Sequence, residues 1–259
     1  MIYITGDKHG NYTDVFNFCN KYKTSKNDIM IVLGDAGINY FLDEKDYMLK
    51  DSLKELPITL FCIHGNHEER PENIFSYMTK KFHNGDIYYE EDYPNILFAK
   101  DAEIYDFNGY SVLVIGGAYS VDKEYRLMMG YNWYPSEQPS EETKNKVKKV
   151  LQEHNNKVDI ILSHTCPFKY MPYEVFMSGV DQSKVDKSTE EFLDEIENIT
   201  EYKKWYCGHY HTDKTVDKLR FMMNDIDEFK LNIDKKQNKT IVFWKIKFSQ
   251  NVKWYLLFL

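Results

Sequence analysis

Short apolar, β-rich runs recur along this chain, and a small cluster of polar side chains follows each of five of them. The runs occupy residues 2–4, 29–33, 58–63, 160–162 and 205–207. The clusters that follow are Asp7-Lys8-His9-Gly10, Gly34-Asp35, Gly65-Asn66-His67-Glu68, Ser163-His164 and Gly208-His209-Tyr210-His211. Open α/β sheets place their active sites where strands end. This pattern therefore predicts two packed sheets with ligand-type side chains gathered at one edge.

The chemistry of these clusters indicates a site for two divalent ions. They supply carboxylate, amide and imidazole groups, which are donors that Mn²⁺, Fe²⁺ and Zn²⁺ accept. Two such ions held close together can activate water for attack on phosphorus and neutralise the phosphoryl oxygens. The sequence thus predicts a dinuclear hydrolytic centre.

The order of the clusters resembles the calcineurin-like metallophosphoesterase superfamily. Its pattern is D-x-H, G-D, G-N-H-[DE], H and G-H-x-H, and all five elements occur in that order between residues 7 and 211. One element alone is weakly specific, whereas the joint occurrence behind strand-like runs is strong. The resemblance implies an α/β fold, a four-layer α-β-β-α sandwich with a dinuclear metal site at the sheet edge.

Carried over by motif, the resemblance implies seven metal ligands. They are Asp7, His9 and His211 for the first ion, Asn66, His164 and His209 for the second, and Asp35 as the bridge between them. The implied cofactors are two divalent ions, with Mn²⁺, Fe²⁺ or Zn²⁺ favoured by the mixed ligands.

His67 matches the superfamily's histidine that is not a ligand. The resemblance implies that it stabilises the phosphoryl group and protonates the leaving alkoxide. The implied reaction is hydrolysis of a phosphomonoester or phosphodiester by attack of a metal-bridging hydroxide. Glu68 is either a brace of this loop or a plain surface carboxylate.

Two departures separate the chain from the phosphoprotein-phosphatase branch. That branch has Asp-Arg-Gly after its second block, where this chain continues Ala36-Gly37, and it has Arg near the position of His64. The match is therefore to the broader superfamily, which includes nucleases and nucleotide hydrolases, and both remain alternatives. A non-catalytic metal-binding scaffold is a further alternative, but such relatives usually lose ligands.

Composition limits the partners and the location. The net charge is −8, which argues against tight binding of duplex nucleic acid because such binding depends on Lys and Arg. The chain runs straight into its first strand, and no long apolar stretch occurs, so we expect a cytoplasmic protein without a membrane span. Cys19, Cys62, Cys166 and Cys207 are expected to be reduced and mostly buried, with a catalytic thiol as the alternative. The sequence does not indicate an oligomeric state.

Periodicity predicts the remaining elements within one domain spanning residues 1–259. Helices are expected from residue 11 or 13 to residue 22 and over residues 43–56, 71–80, 140–154 and 188–199. The last is expected to have a capping box of Ser188 and Glu191 and to carry Ile199 on its apolar face. Strands are expected over residues 95–99, 103–107, 110–115, 219–223, 240–248 and 253–259. Asn108-Gly109 predicts a hairpin turn.

Residues 116–139, the excursion, have poor periodicity and predict a loop near the site. Arg126 is its candidate for a phosphate contact, with an ordinary salt bridge as the alternative. Trp133 and Tyr131 are expected to stack on a leaving group or to pack within the loop. His64 is a candidate substrate contact, and the basic segment 214–259 predicts a solvated strand face or a partner surface.

Overall fold

Two sheets form the centre of the computed structural model, which describes residues 1–231. The first has the strand order β13-β1-β2-β3-β6-β5-β4. It consists of β1 (Ile2–Thr5), β2 (Ile29–Val32), β3 (Thr59–Cys62), β4 (Met78–Phe82), β5 (Gly85–Tyr89), β6 (Ile96–Ala99) and β13 (Ile226–Glu228). The second, in the order β11-β12-β10-β9-β8-β7, consists of β7 (Ile104–Phe107), β8 (Tyr110–Ile115), β9 (Ile160–Ser163), β10 (Lys204–Cys207), β11 (Lys214–Val216) and β12 (Leu219–Phe221).

Helices connect the parallel strands at the centre of each sheet. They are α1 (Thr13–Tyr22), α2 (Glu44–Lys54), α3 (Lys123–Met129), α4 (Glu141–Glu153) and α5 (Ser188–Ile199). Side-chain caps define two of the helix starts, since Asp43 accepts from the Lys45 N–H and Ser140 accepts from the Thr143 N–H. The helices predicted at 13–22, 43–56, 140–154 and 188–199 are confirmed.

Alternation of side chains along the strands produces three apolar layers. In β2, Ile29 and Ile31 face the second sheet, whereas Met30 and Val32 face α1 and α2. The second sheet repeats this arrangement, with its inner side chains in the same central core and its outer ones packed against α4 and α5. Three cores between helix, sheet, sheet and helix make four layers, so the predicted α-β-β-α architecture is confirmed.

The parallel registers bring the loops of the predicted site to one edge. Thr5 is level with Val32, and Val32 with Cys62, so β1, β2 and β3 end together. In the second sheet, Ser163 is level with both Ile115 and Cys207. All five ligand clusters start one to three residues beyond these strand ends or at them.

The helix predicted over residues 71–80 is wrong. Pro71–Asn73 form a single 3-10 turn, and Met78–Phe82 form β4, which pairs with β5. The connecting residues His83 and Asn84 both have positive φ, of 48° and 72°, which is typical of a tight hairpin turn. Pairing across this hairpin overrides the helical pattern.

The capping box predicted for α5 is also wrong. The helix starts at Ser188, and the Asp186 carboxylate accepts the Ser188 main-chain N–H at 2.8 Å. Ser188 instead donates its hydroxyl to Gln138. Ile199, predicted on the apolar face, is 44% exposed.

Other differences concern short or irregular segments. The excursion contains α3, which its sequence did not predict, and the short strands β5, β11 and β13 were also missed. The Asn108-Gly109 turn is confirmed, with φ of 57° and 80°. The strands predicted at 240–248 and 253–259 lie outside the described residues, and the single-domain organisation stays a prediction. Within residues 1–231, no helix is long and apolar enough to cross a membrane.

Candidate metal centre

Carboxylates and imidazoles from the predicted ligand loops converge at the sheet edge. Donor atoms of Asp7, His9 and His211 lie within 4.8 Å of one another, and so do those of Asp7, Asp35 and His164. A third group of the same size joins His9, Asp35 and His67. Asp35 belongs to two of these groups, which is the placement that a bridging carboxylate needs.

The first predicted ion set has two imidazole nitrogens facing each other. Nε2 of His9 and Nε2 of His211 are 3.0 Å apart. The same His211 nitrogen lies 3.4 Å from Oδ2 of Asp7, and the same His9 nitrogen lies 3.8 Å from Oδ2 of Asp35. These lone pairs and carboxylate oxygens around one point fit a divalent cation.

The second predicted set converges on one amide oxygen. Oδ1 of Asn66 lies 2.9 Å from Nε2 of His164 and 3.0 Å from Nδ1 of His209. Nδ1 of His164 lies 2.7 Å from the Leu33 carbonyl oxygen, which can only accept, so Nδ1 carries a proton. Nε2 of a neutral His164 therefore points its lone pair at two oxygen acceptors, the other being Asp35 Oδ1 at 3.5 Å.

A second proton or a cation at Nε2 resolves this contact at His164. Burial lowers the pKa of His164, but the charge and contact of Asp35, the charge of Asp7 and the hydrogen bond to Leu33 together outweigh it and raise the pKa to about 9. Burial also lowers the pKa of His209, to about 3, so that ring stays neutral. A divalent ion can take the place of the His164 proton, and the donor set therefore fits the predicted second ion.

Ser120 sets the direction of the Asn66 amide, and it is a residue that the sequence analysis missed. Nδ2 of Asn66 donates to Oγ of Ser120 at 2.9 Å, which directs Oδ1 toward His164 and His209. The same hydroxyl also accepts from Nη1 of Arg126 at 3.3 Å. The signal that could have identified it is its position, five residues beyond the end of β8 at the same sheet edge.

Main-chain groups hold Asp35 in place. Its Oδ1 accepts the N–H groups of Asn66 and His67, each at 2.9 Å. Burial alone would raise the pKa of Asp35, but the neighbouring His164 and His67 imidazoles hold it well below its ordinary value. The carboxylate is thus ionised and oriented as a ligand.

Motif glycines allow the ligands to approach the backbone. A Cβ on Gly65 would lie 2.1 Å from Oδ1 of Asp35, and a Cβ on Gly34 would lie 2.1 Å from Nδ1 of His164. Asp35 itself has φ of 45°, a left-handed conformation that few residue types adopt readily. A side chain at Gly34 or Gly65 would therefore collide with a predicted ligand, which explains the glycines in G-D and G-N-H.

His67 lies beside the predicted ligands, with its ring centre 5.3 Å from that of His9. Burial lowers its pKa more than the Asp35 charge raises it, so the imidazole is neutral at neutral pH. Its nitrogen belongs to a donor group with His9 and Asp35, so distance alone is compatible with a ligand or a catalytic residue. The predicted role as acid stays a prediction.

Glu68 is a brace of its loop and not a surface carboxylate. It is fully buried, and its Oε1 accepts the Gly65 N–H at 2.9 Å. Burial and the neighbouring Asp35 charge raise its pKa to about 8.

All four cysteines are free and buried, as expected. Burial raises the pKa of Cys166 and Cys207 well above its ordinary value, which disfavours a catalytic thiol.

The two predicted substrate contacts, Arg126 and His64, are both buried. Arg126 is 2% exposed, reaches the predicted ligand Asn66 only through Ser120, and approaches Asp122 at 3.9 Å. His64 is 3% exposed, and burial lowers its pKa well below its ordinary value. Both stay predictions as substrate contacts. Trp133 packs within the excursion, since its Nε1 donates to Glu137 and Lys123 lies over its ring.

Two clefts open beside the converging ligands. The first, of about 360 Å³, runs past Tyr40, Phe41 and Lys45. The second, of about 300 Å³, runs past Asp35, Asn66 and a largely apolar wall that includes Phe176 and Tyr210. His9 and His67 line both clefts.

Comparison with known proteins identifies a family. Residues 1–213 match the model of the family described as calcineurin-like phosphoesterase, a span that contains every predicted ligand. No curated protein matches the chain.

Two solved structures match the chain at low sequence identity. The crystal structure of TT1561 of Thermus thermophilus is 13% identical, with 86% of this chain and 87% of that chain covered and a TM-score of 0.48. The protein of unknown function AQ665 from Aquifex aeolicus is 15% identical, with 64% and 80% covered and a TM-score of 0.32. With TM-scores this low, neither contributes to the family assignment, which depends on the family model.

Proposed function

The chain belongs to the calcineurin-like phosphoesterase family, whose members are metal-dependent phosphoesterases in general, and we propose that it hydrolyses a phosphomonoester or phosphodiester. One observation carries the proposal: a carboxylate oxygen of Asp35 lies within 4.8 Å of donor atoms from both predicted ion sets. An oriented, ionised carboxylate between two groups of donors is the arrangement that a dinuclear hydrolase requires.

Two divalent ions would be held by the seven predicted ligands, with Mn²⁺, Fe²⁺ or Zn²⁺ matching the mixture of imidazole and carboxylate. When bound, such ions supply an activated water and neutralise the charge of the phosphoryl oxygens. The chain's own residues orient this centre: Asp35 through the N–H groups of Asn66 and His67, and Asn66 through Ser120.

His67 would handle the proton of the leaving group. Its ring is neutral in the free protein because it is largely buried. The negative charge of a bound phosphate ester would raise the pKa of His67, so that the ring can take up a proton and give it to the departing oxygen. This proposal depends on the position of His67 between the two clefts.

The alternative functions, a nuclease or nucleotide hydrolase and a non-catalytic scaffold, predict different activities for this chain. A nuclease or nucleotide hydrolase would use the same centre on a particular leaving group. A non-catalytic scaffold is disfavoured because all seven ligand side chains are present and converge. The predicted location in the cytoplasm and the expected lack of duplex binding stay predictions.

Metal reconstitution with a substrate panel tests the proposal. Metal-free protein would be loaded with Mn²⁺, Fe²⁺ or Zn²⁺ and assayed on 4-nitrophenyl phosphate, bis(4-nitrophenyl) phosphate, nucleoside triphosphates and a single-stranded oligonucleotide. We expect hydrolysis of at least one ester that requires added metal and is lost in Asp35→Asn. Bound metal without hydrolysis of any of these compounds would favour the scaffold.

A further inference from the structure

Resting on the proposed function, we propose that the substrate is a phosphodiester that places one organic group in each of the two clefts. The first cleft is the space of about 360 Å³ beside Phe41 and Lys45. The second is the space of about 300 Å³ beside Phe176 and Tyr210. Their shared walls, the rings of His9 and His67, lie at the predicted metal centre.

The positions of the clefts relative to the predicted ligands carry the inference. Asp35, Asn66, His209 and His211 line the second cleft, so a phosphoryl group at the centre lies at its inner end. The first cleft shares His9 and His67 with the second but contains none of those four residues, and it continues along the loop between β2 and α2. A monoester has one organic group and would fill one cleft, whereas a diester has a group for each.

Both clefts have surfaces suited to flat or apolar groups. In the second, the rings of Phe176 and Tyr210 lie parallel, 6° apart in orientation, with centres 5.9 Å apart. In the first, the Lys45 ammonium lies 4.4 Å from the centre of the Phe41 ring, and Phe41 is 40% exposed. Aromatic faces of this kind pack against rings of a ligand.

Charge in the clefts also favours a diester. A diester is a monoanion, whereas a monoester at neutral pH is close to a dianion that arginine or lysine usually neutralises. Beyond the predicted ligands, the charged side chains among the described residues that line the second cleft are the carboxyl groups of Asp122, Asp186 and Glu190 and the amine of Lys187. No arginine occurs among the described residues that line either cleft. The lower charge of a diester suits these walls.

Matched esters and matched variants test the inference. The metal-loaded protein would be assayed on bis(4-nitrophenyl) phosphate and on 4-nitrophenyl phosphate, which share a leaving group. Phe41→Ala and Phe176→Ala each remove one cleft wall, and Phe75→Ala is the control, because Phe75 is fully exposed and lines neither cleft. Metal content and thermal unfolding establish that the variants remain folded and loaded.

We expect kcat/KM for the diester to exceed that for the monoester by at least about tenfold, and each cleft variant to raise KM for the diester by about threefold to tenfold. The double variant should combine the two losses, and Phe75→Ala should match the wild type. A preference for the monoester, or cleft variants that behave like Phe75→Ala, would overturn the inference and leave the proposed phosphoesterase intact.

Binding of non-hydrolysable analogues separates this inference from the proposed function. Diphenylphosphinate presents two rings and one negative charge, whereas phenylphosphonate presents one ring and a higher charge. We expect calorimetry to show tighter binding of diphenylphosphinate by the metal-loaded protein, weakened in both cleft variants. If no compound of the substrate panel is hydrolysed, the proposed function fails, and this binding comparison still decides the cleft assignment. Equal or tighter binding of phenylphosphonate contradicts that assignment.

Discussion

The metal-bearing edge and the cleft rim are built in different ways. The edge, residues 7–10, 34–35, 64–68, 163–165 and 208–211, follows central parallel strands, and its side chains are held by main-chain N–H groups and close glycines. The rim, residues 116–139 and 168–187, consists of turns and short helices with many exposed apolar side chains, such as Met128 and Met177. The edge therefore holds its side chains in fixed positions for metal binding, whereas the rim presents side chains that can contact the variable part of a substrate.

The largest expected effect is at the centre of the edge. Asp35→Asn removes the negative charge of the predicted bridging ligand, which lies near donors from both predicted ion sets. Both ions should therefore be lost, and activity should fall to that of metal-free protein. Elemental analysis after reconstitution gives the metal content. Asp92→Asn, at an exposed turn, is the control; full occupancy in Asp35→Asn would contradict the bridging role.

A substitution of His67 tests whether a residue of the edge contributes to the reaction without binding a metal ion. His67→Ala should keep its metal and lose about 10²–10⁴-fold in kcat, the usual scale for a lost general acid. The loss should be smaller for nitrophenyl esters, whose leaving groups need little protonation. Loss of metal would make His67 a ligand, and an equal loss on all leaving groups would show that it is not the acid.

Ser120 joins the two regions, because it lies near the start of the excursion and orients the predicted ligand Asn66. Ser120→Ala should free the Asn66 amide and weaken metal affinity by about 10–100-fold, as removal of a ligand's hydrogen-bond partner does elsewhere. Competition with a chelator measures this affinity. Ser76→Ala, at an exposed serine outside both regions, should leave the metal affinity unchanged. An unchanged metal affinity in Ser120→Ala would show that Ser120 does not orient Asn66.

Within the rim, Arg126 should matter more than Trp133. Arg126→Ala removes a buried positive charge that acts on His67, so we expect weaker attraction of the phosphoryl anion and a raised KM with retained metal. Trp133→Ala should have a smaller effect, because its indole already bonds to Glu137. Steady-state kinetics on each active ester provides the measurement. Wild-type kcat/KM in both variants would make the excursion purely structural.

The smallest expected effect is a pH-dependent change in stability at Glu190. Burial raises its pKa above the ordinary 4.5, so the folded state holds the proton more tightly, and stability declines as pH rises above about 4.5 toward the folded pKa. Glu190→Gln cannot ionise, so its melting temperature relative to wild type should increase between pH 5 and pH 8. A difference that stays constant with pH would show that Glu190 is not responsible.

Much of the edge could be predicted from the sequence because its information is local. Each ligand follows a strand by at most a few residues, and the glycines that permit close approach lie beside the ligands they serve, as Gly34 and Gly65 do. Parallel pairing of the strands then brings the loops together at one edge of the sheets. The rim carries no such local signal, and its helix α3 was not predicted.

The sequence by itself determined the strand-and-ligand order, the four-layer fold class and the seven candidate donors. Only the tertiary structure decided which groups orient those donors: Ser120 and Asn66 are 54 residues apart in the chain, and His164 and Leu33 are 131 apart. The hairpin of β4 and β5, the bond from Asp186 at the start of α5, and the two clefts that meet at His9 and His67 likewise depend on the packed chain. The physical reason is that local sequence sets periodicity and turn geometry, whereas packing selects hydrogen-bond partners and the spaces between loops.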